Sequence, residues 1–309
     1  MKEISIVVPV FNSADNLVEL HFQIQKALQN VSYELIFVND FSSDNSWEVI
    51  RSIAKENKEV IAIDFRKNFG QDNALMAGFK YASGKYVVIM DDDLQHSPND
   101  IFKLYEKCKN GYDVCYAKFH EKNQQVWKNL GSWLNGLLAN KVLNKPKNVY
   151  MSPFKIVKSG IIKEIIKYNG PFPYVDGLIL ELTNDVTSID VEHYERYRGK
   201  SNYNLIRSIS VFMKVFTSFS VIPLRIATVV GFITSFIGFV TAVYFLLAYF
   251  RYNHQVEGWT SLIISLLIIG GLILMFLGLI GEYLGRMFLT LNNKPQYSVK
   301  TVIGKDAEK

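Results

Sequence analysis

The sequence predicts an α/β fold, a mostly parallel sheet with helices on both faces, followed by two apolar helices that cross a membrane. Three observations carry this. Short apolar runs alternate with helix-period segments from residue 4 to residue 116. Ile226–Phe250 and Gly258–Gly281 contain no charged residue. Residues 1–200, by contrast, are an ordinary soluble mixture.

In order along the chain, Ile4–Pro9 is an apolar run of strand length. Ala14–Gln29 places Leu17, Leu20, Ile24 and Leu28 on one helical face. Leu35–Val38 is a strand and Ser46–Lys55 a helix; Val60–Phe65 is a strand and Asp72–Ala82 a helix. Tyr86–Met90 contains four contiguous apolar residues, the pattern of a strand buried on both faces. Helix Asn99–Lys109 and strand Val114–Tyr116 complete the series. No internal repeat or low-complexity segment interrupts it.

Each of the two uncharged stretches reaches the ~20 residues that span a bilayer core. Tyr244, Tyr249, Tyr252, Trp259 and Tyr283 stand near their ends, where interfacial aromatics belong. The connection, about Arg251–Thr260, is short, so both ends of the hairpin lie on one side. Lys200, Arg207, Lys214, Arg225 and Arg286 flank that side, against Arg251 in the connection, which predicts that it is cytoplasmic. Leu205, Ile209, Phe212, Phe216 and Phe219 repeat at helical spacing just before the first span and predict an interfacial helix. The expected organisation is a catalytic-type domain over 1–202, a juxtamembrane helix over 203–225, a hairpin over 226–284 with spans 226–250 and 258–281, and a cytoplasmic tail over 285–309.

Bulk properties exclude other classes. The 34 basic and 29 acidic residues leave a net charge of +5, and no dense basic run with interleaved aromatics points to nucleic acid. Cys108 and Cys115 fit no zinc spacing and are expected to be reduced, buried thiols. The start, MKEISIVVPVF, is expected to be the first strand rather than a signal peptide. Neither span carries an ionisable residue in its centre, which argues against a transporter.

The chemistry concentrates at strand ends. Asp91, Asp92 and Asp93 directly follow the buried Tyr86–Met90 run, where open α/β sheets bind ligands. In an extended segment, residues i and i+2 share a face, so Asp91 and Asp93 are expected to converge and Asp92 to turn away. Paired hard oxygens suit Mg²⁺ or Mn²⁺ carrying a diphosphate. Asp40 ends the second strand and is placed for a base or ribose edge; Asp44 is expected to cap the next helix. Phe11, after the first strand, offers a stacking face. A Rossmann site is excluded because no glycine precedes Gly70, and Gly78–Lys85 has the wrong spacing for a phosphate-binding loop. The five histidines are dispersed; His96, after the acids, is the strongest functional candidate among them.

With these residues in place, the chain resembles the family 2 glycosyltransferases of the GT-A fold, and within them the membrane-anchored polyprenyl-phosphate glycosyltransferases. The segments IVVPVFN, ELIFVNDFSSDNS, FRKNFGQDNALMAGFKYASG, VVIMDDDLQHSP, RYRGKSNY, SFSVIPLR and IGEYLGR carry the resemblance over nearly the whole chain. It implies a nucleotide-sugar donor, a polyprenyl phosphate acceptor (undecaprenyl phosphate by preference), Mg²⁺ or Mn²⁺, inversion at the sugar, and a homo-oligomer. It also implies that Asp91, Asp93 and Gln95 serve the metal, and Pro9, Phe11, Asp40 and Asp91 the nucleotide. Arg196, Ser201 and Tyr203 would close over diphosphate and acceptor, with Lys128, Ser132 and Lys155 near the acceptor phosphate; Asp93, Arg196 and Lys128 are the implied catalytic residues. The chain departs from the pattern at Ser13, where relatives usually have an acid, and at Phe41, where they often have Gly or Asn. It also reads Ser152-Pro153-Phe154-Lys155 where many have Gly-Asp-Phe-Arg. Alternatives are a processive polysaccharide synthase, whose Gln-x-x-Arg-Trp is missing from Gln124-Gln125-Val126-Trp127, and a catalytically silent membrane scaffold.

Overall fold

The computed structural model describes residues 2–119, 146, 149–170, 172–191, 222–252, 258–292 and 294–304. The chain forms two compact units, Met1–Asn204 with Asn293–Lys309, and Leu205–Asn292.

The first unit is built on one eight-stranded sheet. Its strands are β1 (Ile4–Val10), β2 (Tyr33–Asn39), β3 (Val60–Phe65), β4 (Tyr86–Ile89), β5 (Val114–Phe119), β6 (Lys155–Lys158), β7 (Val186–Val191) and β8 (Val299–Ile303), in the spatial order β7-β5-β6-β4-β1-β2-β3-β8. The β4-β1-β2-β3 block is parallel throughout. β6 runs antiparallel to both β4 and β5, and β8 antiparallel to β3. Helices α1 (Ala14–Ala27), α2 (Ser46–Glu56) and α3 (Gln71–Tyr81) make the crossovers, and α4 (Ile101–Lys109), α5 (Ser159–Ile165) and α6 (Val175–Leu182) pack around the β5–β7 side. β1 and β2 are buried at every position, as a central parallel strand covered on both faces requires. Leu17, Leu20 and Ile24 turn the apolar face of α1 into the core beside Ile6, Val8 and Phe37.

Buried Glu34 accepts hydrogen bonds from Ser5 Oγ, Ser83 Oγ and the Ser83 N–H at the amino end of the sheet. Cys108 and Cys115 are free and buried, as expected, and burial pushes both thiols up to about 12.

The segment expected to be a tail is part of the sheet. β8 covers the outer edge of β3, with Asp64 opposite Thr301. Tyr297 stacks on Phe65 with ring centroids 5.3 Å apart, and the Lys80 ammonium lies 5.1 Å from the centroid of the same Tyr297 ring. Gln296 donates both amide hydrogens, to the carbonyls of Tyr168 (2.9 Å) and Gly170 (2.7 Å). Lys300 pairs with Asp64, whose other oxygen accepts from Asn39 Nδ2 at 2.8 Å. An open β3 edge is thereby closed by the chain's own end.

The second unit, in its described part, consists of α7 (Ile222–Tyr252) and α8 (Trp259–Leu291). Both are long and apolar enough to cross a membrane, with mean hydropathy 1.8 over Pro223–Thr241 and 1.9 over Ile268–Leu291, and neither window is buried within the protein. The second window overlaps the expected 258–281 over Ile268–Gly281, within a helix that begins at Trp259. It includes Glu282 and Arg286, which pair one helical turn apart at 2.8 Å and so reduce the cost of their charges. Residues 203–221, expected as the juxtamembrane helix, lie outside the described residues.

Removal of the chain after Asn292 is expected to destabilise the first unit by several kcal/mol, because it uncovers Phe65 and an edge of the sheet. Thermal unfolding of the detergent-solubilised protein checks this; an unchanged midpoint would mean that β8 is dispensable.

Candidate active site

β4 stops at Ile89, so Asp91, Asp92 and Asp93 lie just beyond the strand rather than within it. Strand alternation therefore does not govern them, and each carboxylate finds a different neighbour. Asp91 Oδ1 accepts from Gln71 Nε2 (2.8 Å), at the first residue of α3. Asp92 Oδ2 accepts from the Phe11 N–H (3.3 Å), tying the acidic segment to the end of β1. Asp93 Oδ1 accepts from the N–H of Gln95 (3.1 Å), across a turn in which Leu94 adopts φ +60°. His96 follows, only 4% exposed, stacked between Phe119 (5.3 Å) and Phe154 (5.1 Å). It anchors the loop in the core, which gives the strongest histidine candidate a packing role.

Burial, with the charges of Asp93 and Asp92 behind it, pushes Asp91 up to about 7. Asp92 rises to about 6 through burial, partly offset by hydrogen bonds from Ser13 and Phe11. Among the described residues, no three acidic, imidazole or thiol groups converge to hold a cation unaided. One or two carboxylates completed by substrate phosphates are the usual ligand set of Mg²⁺, so the donors present fit a cation that arrives with a diphosphate.

A second layer of charge lies beneath. Lys155, on β6, is 3% exposed, and its ammonium pairs with Asp176 at the start of α6. Tyr116 OH donates to the same Asp176 oxygen (2.9 Å), and the ammonium lies 5.3 Å from the Tyr116 ring centroid. Asp72 accepts from the Val175 N–H (3.2 Å), linking α3 to α6; burial, with the Asp176 charge adding, pushes it up to about 6. The Lys155 charge opposes the rise of both Asp72 and Asp91. Lys155, expected as a phosphate contact, is thus engaged as an internal counter-charge to these acids.

On the other side, Asp40 is 4% exposed at the end of β2. Its two oxygens accept from the N–H groups of Phe69 (2.6 Å) and Gly70 (2.8 Å), and burial still leaves its carboxyl raised. It therefore shapes the β3–α3 loop as well as facing the strand ends. Asp44 does the expected capping work twice, accepting from the N–H groups of Ser46, which opens α2, and Ala14, which opens α1. Burial works against the Asp44 anion, and the bonds from Ser46 and Ala14 outweigh it, so its carboxyl sits below the usual range. Pro9 is buried in β1 opposite Val38, while Phe11 is 53% exposed.

The structure thus brings Phe11, Asp40, Asp91 and Asp93 to one edge of the sheet, with Lys155 below. Lys128, Ser132, Arg196, Ser201 and Tyr203 lie outside the described residues. Sequence reasoning passed over Gln71, Asp72 and Asp176, which carry no local signal, and it assigned Asp92 no partner.

Residues 5–166 match the family model described as Glycosyl transferase family 2. The chain is 32% identical to an uncharacterized glycosyltransferase, YkcC, of Bacillus subtilis (strain 168), over 97% of this chain and 94% of that protein. It is 30% identical to an undecaprenyl-phosphate 4-deoxy-4-formamido-L-arabinose transferase of Edwardsiella ictaluri (strain 93-146), again over 97% and 94%. Among solved structures, glucosyl-3-phosphoglycerate synthase from Mycobacterium tuberculosis, crystallised with Mn²⁺, uridine diphosphate and phosphoglyceric acid, superposes with a TM-score of 0.51 at 17% identity. That match covers 70% of this chain and 76% of the other and shows the shared fold.

Carboxyls raised in the folded state favour folding below the ordinary carboxylate pKa, and that contribution is lost as pH rises through the folded value. In EDTA, Asp91→Asn is therefore expected to gain stability relative to wild type as pH rises from about 4, the unfolded value, through about 7, the folded one, by roughly 1.4 kcal/mol per unit of pKa elevation removed. Thermal unfolding across that range checks it; a pH-independent difference would contradict the burial of an ionised Asp91.

Proposed function

Since this chain belongs to glycosyl transferase family 2, we propose that it transfers a single sugar from a nucleoside diphosphate sugar to the phosphate of a polyprenyl lipid, with inversion, at the cytoplasmic face of a membrane. The observation that carries this is the acid-rich edge of the parallel sheet in the same chain as two helices able to span a bilayer. The activity for which the Edwardsiella relative is named, in a protein similar over nearly its whole length, supports undecaprenyl phosphate as acceptor. The positive-inside pattern around the hairpin supports a cytoplasmic site with both termini on that side, in an integral membrane protein.

The chemistry asks little of a base. A phosphate monoester has its second pKa near 6, so the acceptor is already largely dianionic. One of its oxygens forms the new bond to the anomeric carbon, and the bond from that carbon to the nucleoside diphosphate breaks, its electron pair leaving with the diphosphate. What the protein supplies is placement and charge. Asp40, Pro9 and Phe11 take the nucleoside at the ends of β1 and β2. Asp91 and Asp93, with Gln95 beside them, would hold Mg²⁺ or Mn²⁺, which would supply Lewis-acid neutralisation of the leaving diphosphate. Gln71 holds one oxygen of Asp91 by a hydrogen bond and so orients the carboxylate. Lys155 and Asp176 keep the floor of the site close to neutral, so the substrate anions meet a carboxylate cluster already partly balanced. Arg196, Lys128, Ser132, Ser201 and Tyr203 are assigned to the diphosphate and acceptor phosphate, and copies of the chain to a homo-oligomer.

The test is transfer of label. Full-length protein in detergent receives undecaprenyl phosphate, Mn²⁺ and a panel of labelled nucleotide sugars. Label is expected in the organic phase with one donor and to stay aqueous with EDTA. Asp93→Asn is expected to cut the rate ~100-fold or more, several kcal/mol of transition-state stabilisation, while the protein stays folded. Nucleotide binding without lipid labelling would contradict the acceptor, and undiminished turnover in Asp93→Asn would contradict the metal assignment.

A further inference from the structure

Phe41 follows Asp40 at the end of β2 and has a backbone that its own packing does not justify. It is held at φ +59°, in the left-handed region that a bulky side chain rarely adopts. Its neighbours fix it there. The Ser42 N–H donates to Asn39 Oδ1 (3.3 Å), the Asn12 N–H to Ser42 Oγ (3.0 Å), and the Ser43 N–H to Asn12 Oδ1 (2.8 Å). Asn12 is itself at φ +55°, so two left-handed residues from adjacent strand ends interlock. Glycine would meet the same demands without strain. The phenyl ring does not offset the cost by burial, because it is 53% exposed.

Strain of this kind persists where surrounding contacts over-determine it, and it gathers at ligand sites. The position of Phe41 agrees. β1 and β2 are parallel with Val10 opposite Asn39, so Phe11 and Asp40 leave the sheet side by side and Phe41 comes next. Phe11 is also 53% exposed. Two exposed aromatic residues thus stand beside a buried carboxylate at these strand ends, an arrangement suited to a flat heteroaromatic ring with a polar edge.

We propose that Phe41 is a stacking residue for the donor nucleobase and, with Phe11, sets how tightly the nucleoside is held. This deepens the assignment of a nucleotide-sugar donor and rests on it. Base–aromatic stacking is strong enough for the loss of one ring to weaken binding by about tenfold.

Calorimetric titration of the full chain in detergent with UDP, GDP and dTDP, in the presence of Mn²⁺, tests it on wild type, Phe41→Gly and Phe41→Tyr. Phe41→Gly is expected to raise the unfolding midpoint, since the strain is relieved, and yet to weaken the preferred nucleoside diphosphate about tenfold. Phe41→Tyr is expected to keep wild-type affinity. In turnover, Phe41→Gly should raise the donor KM by a larger factor than it lowers kcat. Affinity within twofold of wild type in Phe41→Gly overturns the stacking role while the donor assignment stands. Failure of wild type to bind any of the three overturns the donor assignment and this inference together.

Discussion

Three consecutive carboxylates leave the apolar interior of a parallel sheet at a point where ionised groups lose much of their hydration, and the surrounding architecture follows from balancing them. A buried uncompensated charge costs several kcal/mol. The protein meets part of that cost from within. Gln71 and the Phe11 N–H each satisfy one carboxylate oxygen, and Lys155 places a cation below. The remainder shows in Asp91 and Asp92, whose carboxyls stay well above the ordinary range. A site left electrostatically incomplete in this way favours a divalent cation and the anions that travel with it.

The same balance explains why the antiparallel strands matter. β6 delivers Lys155 beside β4, β5 delivers Tyr116 next to it, and α6 presents Asp176 to both. Asp72 then ties α3, which also carries Gln71, to α6 through the Val175 N–H. Four elements distant in sequence therefore converge on the floor of one site. At the carboxyl ends of β2 and β3, Lys300 on β8 reaches Asp64, Asp64 holds Asn39, and Asn39 accepts from the Ser42 N–H. The last strand of the chain thus bears on the loop that follows Asp40.

Legibility in the sequence tracked the range of the interactions. The parallel strands were visible because each is a contiguous apolar run with a helix-period segment after it, and the acid motif because its charges abut such a run. β8 was missed: Val299–Ile303 is short, carries Lys300, follows a long apolar helix, and becomes a strand through pairing with β3, more than two hundred residues away. Lys155 was visible as a cation but not as a buried one, since its partner Asp176 reaches it through the topology of β6 and α6. Asp91 and Asp93 were expected on one face by strand alternation; β4 ends at Ile89, two residues earlier, so the loop beyond it places them, and the Asp93 charge acts on Asp91 more strongly than that of its neighbour Asp92. Phe41 was visible as a departure from the resembled family; its left-handed backbone, which gives the departure meaning, was not.

The central claim is that the carboxylate edge is completed by a cation and a nucleoside diphosphate together, so each must strengthen the other by the same factor. Electron paramagnetic resonance titration of Mn²⁺ into the full-length protein, with and without saturating nucleoside diphosphate, measures that coupling directly. Weak Mn²⁺ binding alone, tightened tenfold or more by the matching nucleoside diphosphate and abolished in Asp91→Asn, is the result predicted. Equal Mn²⁺ affinity with and without every nucleoside diphosphate, or undiminished binding in Asp91→Asn, would contradict it.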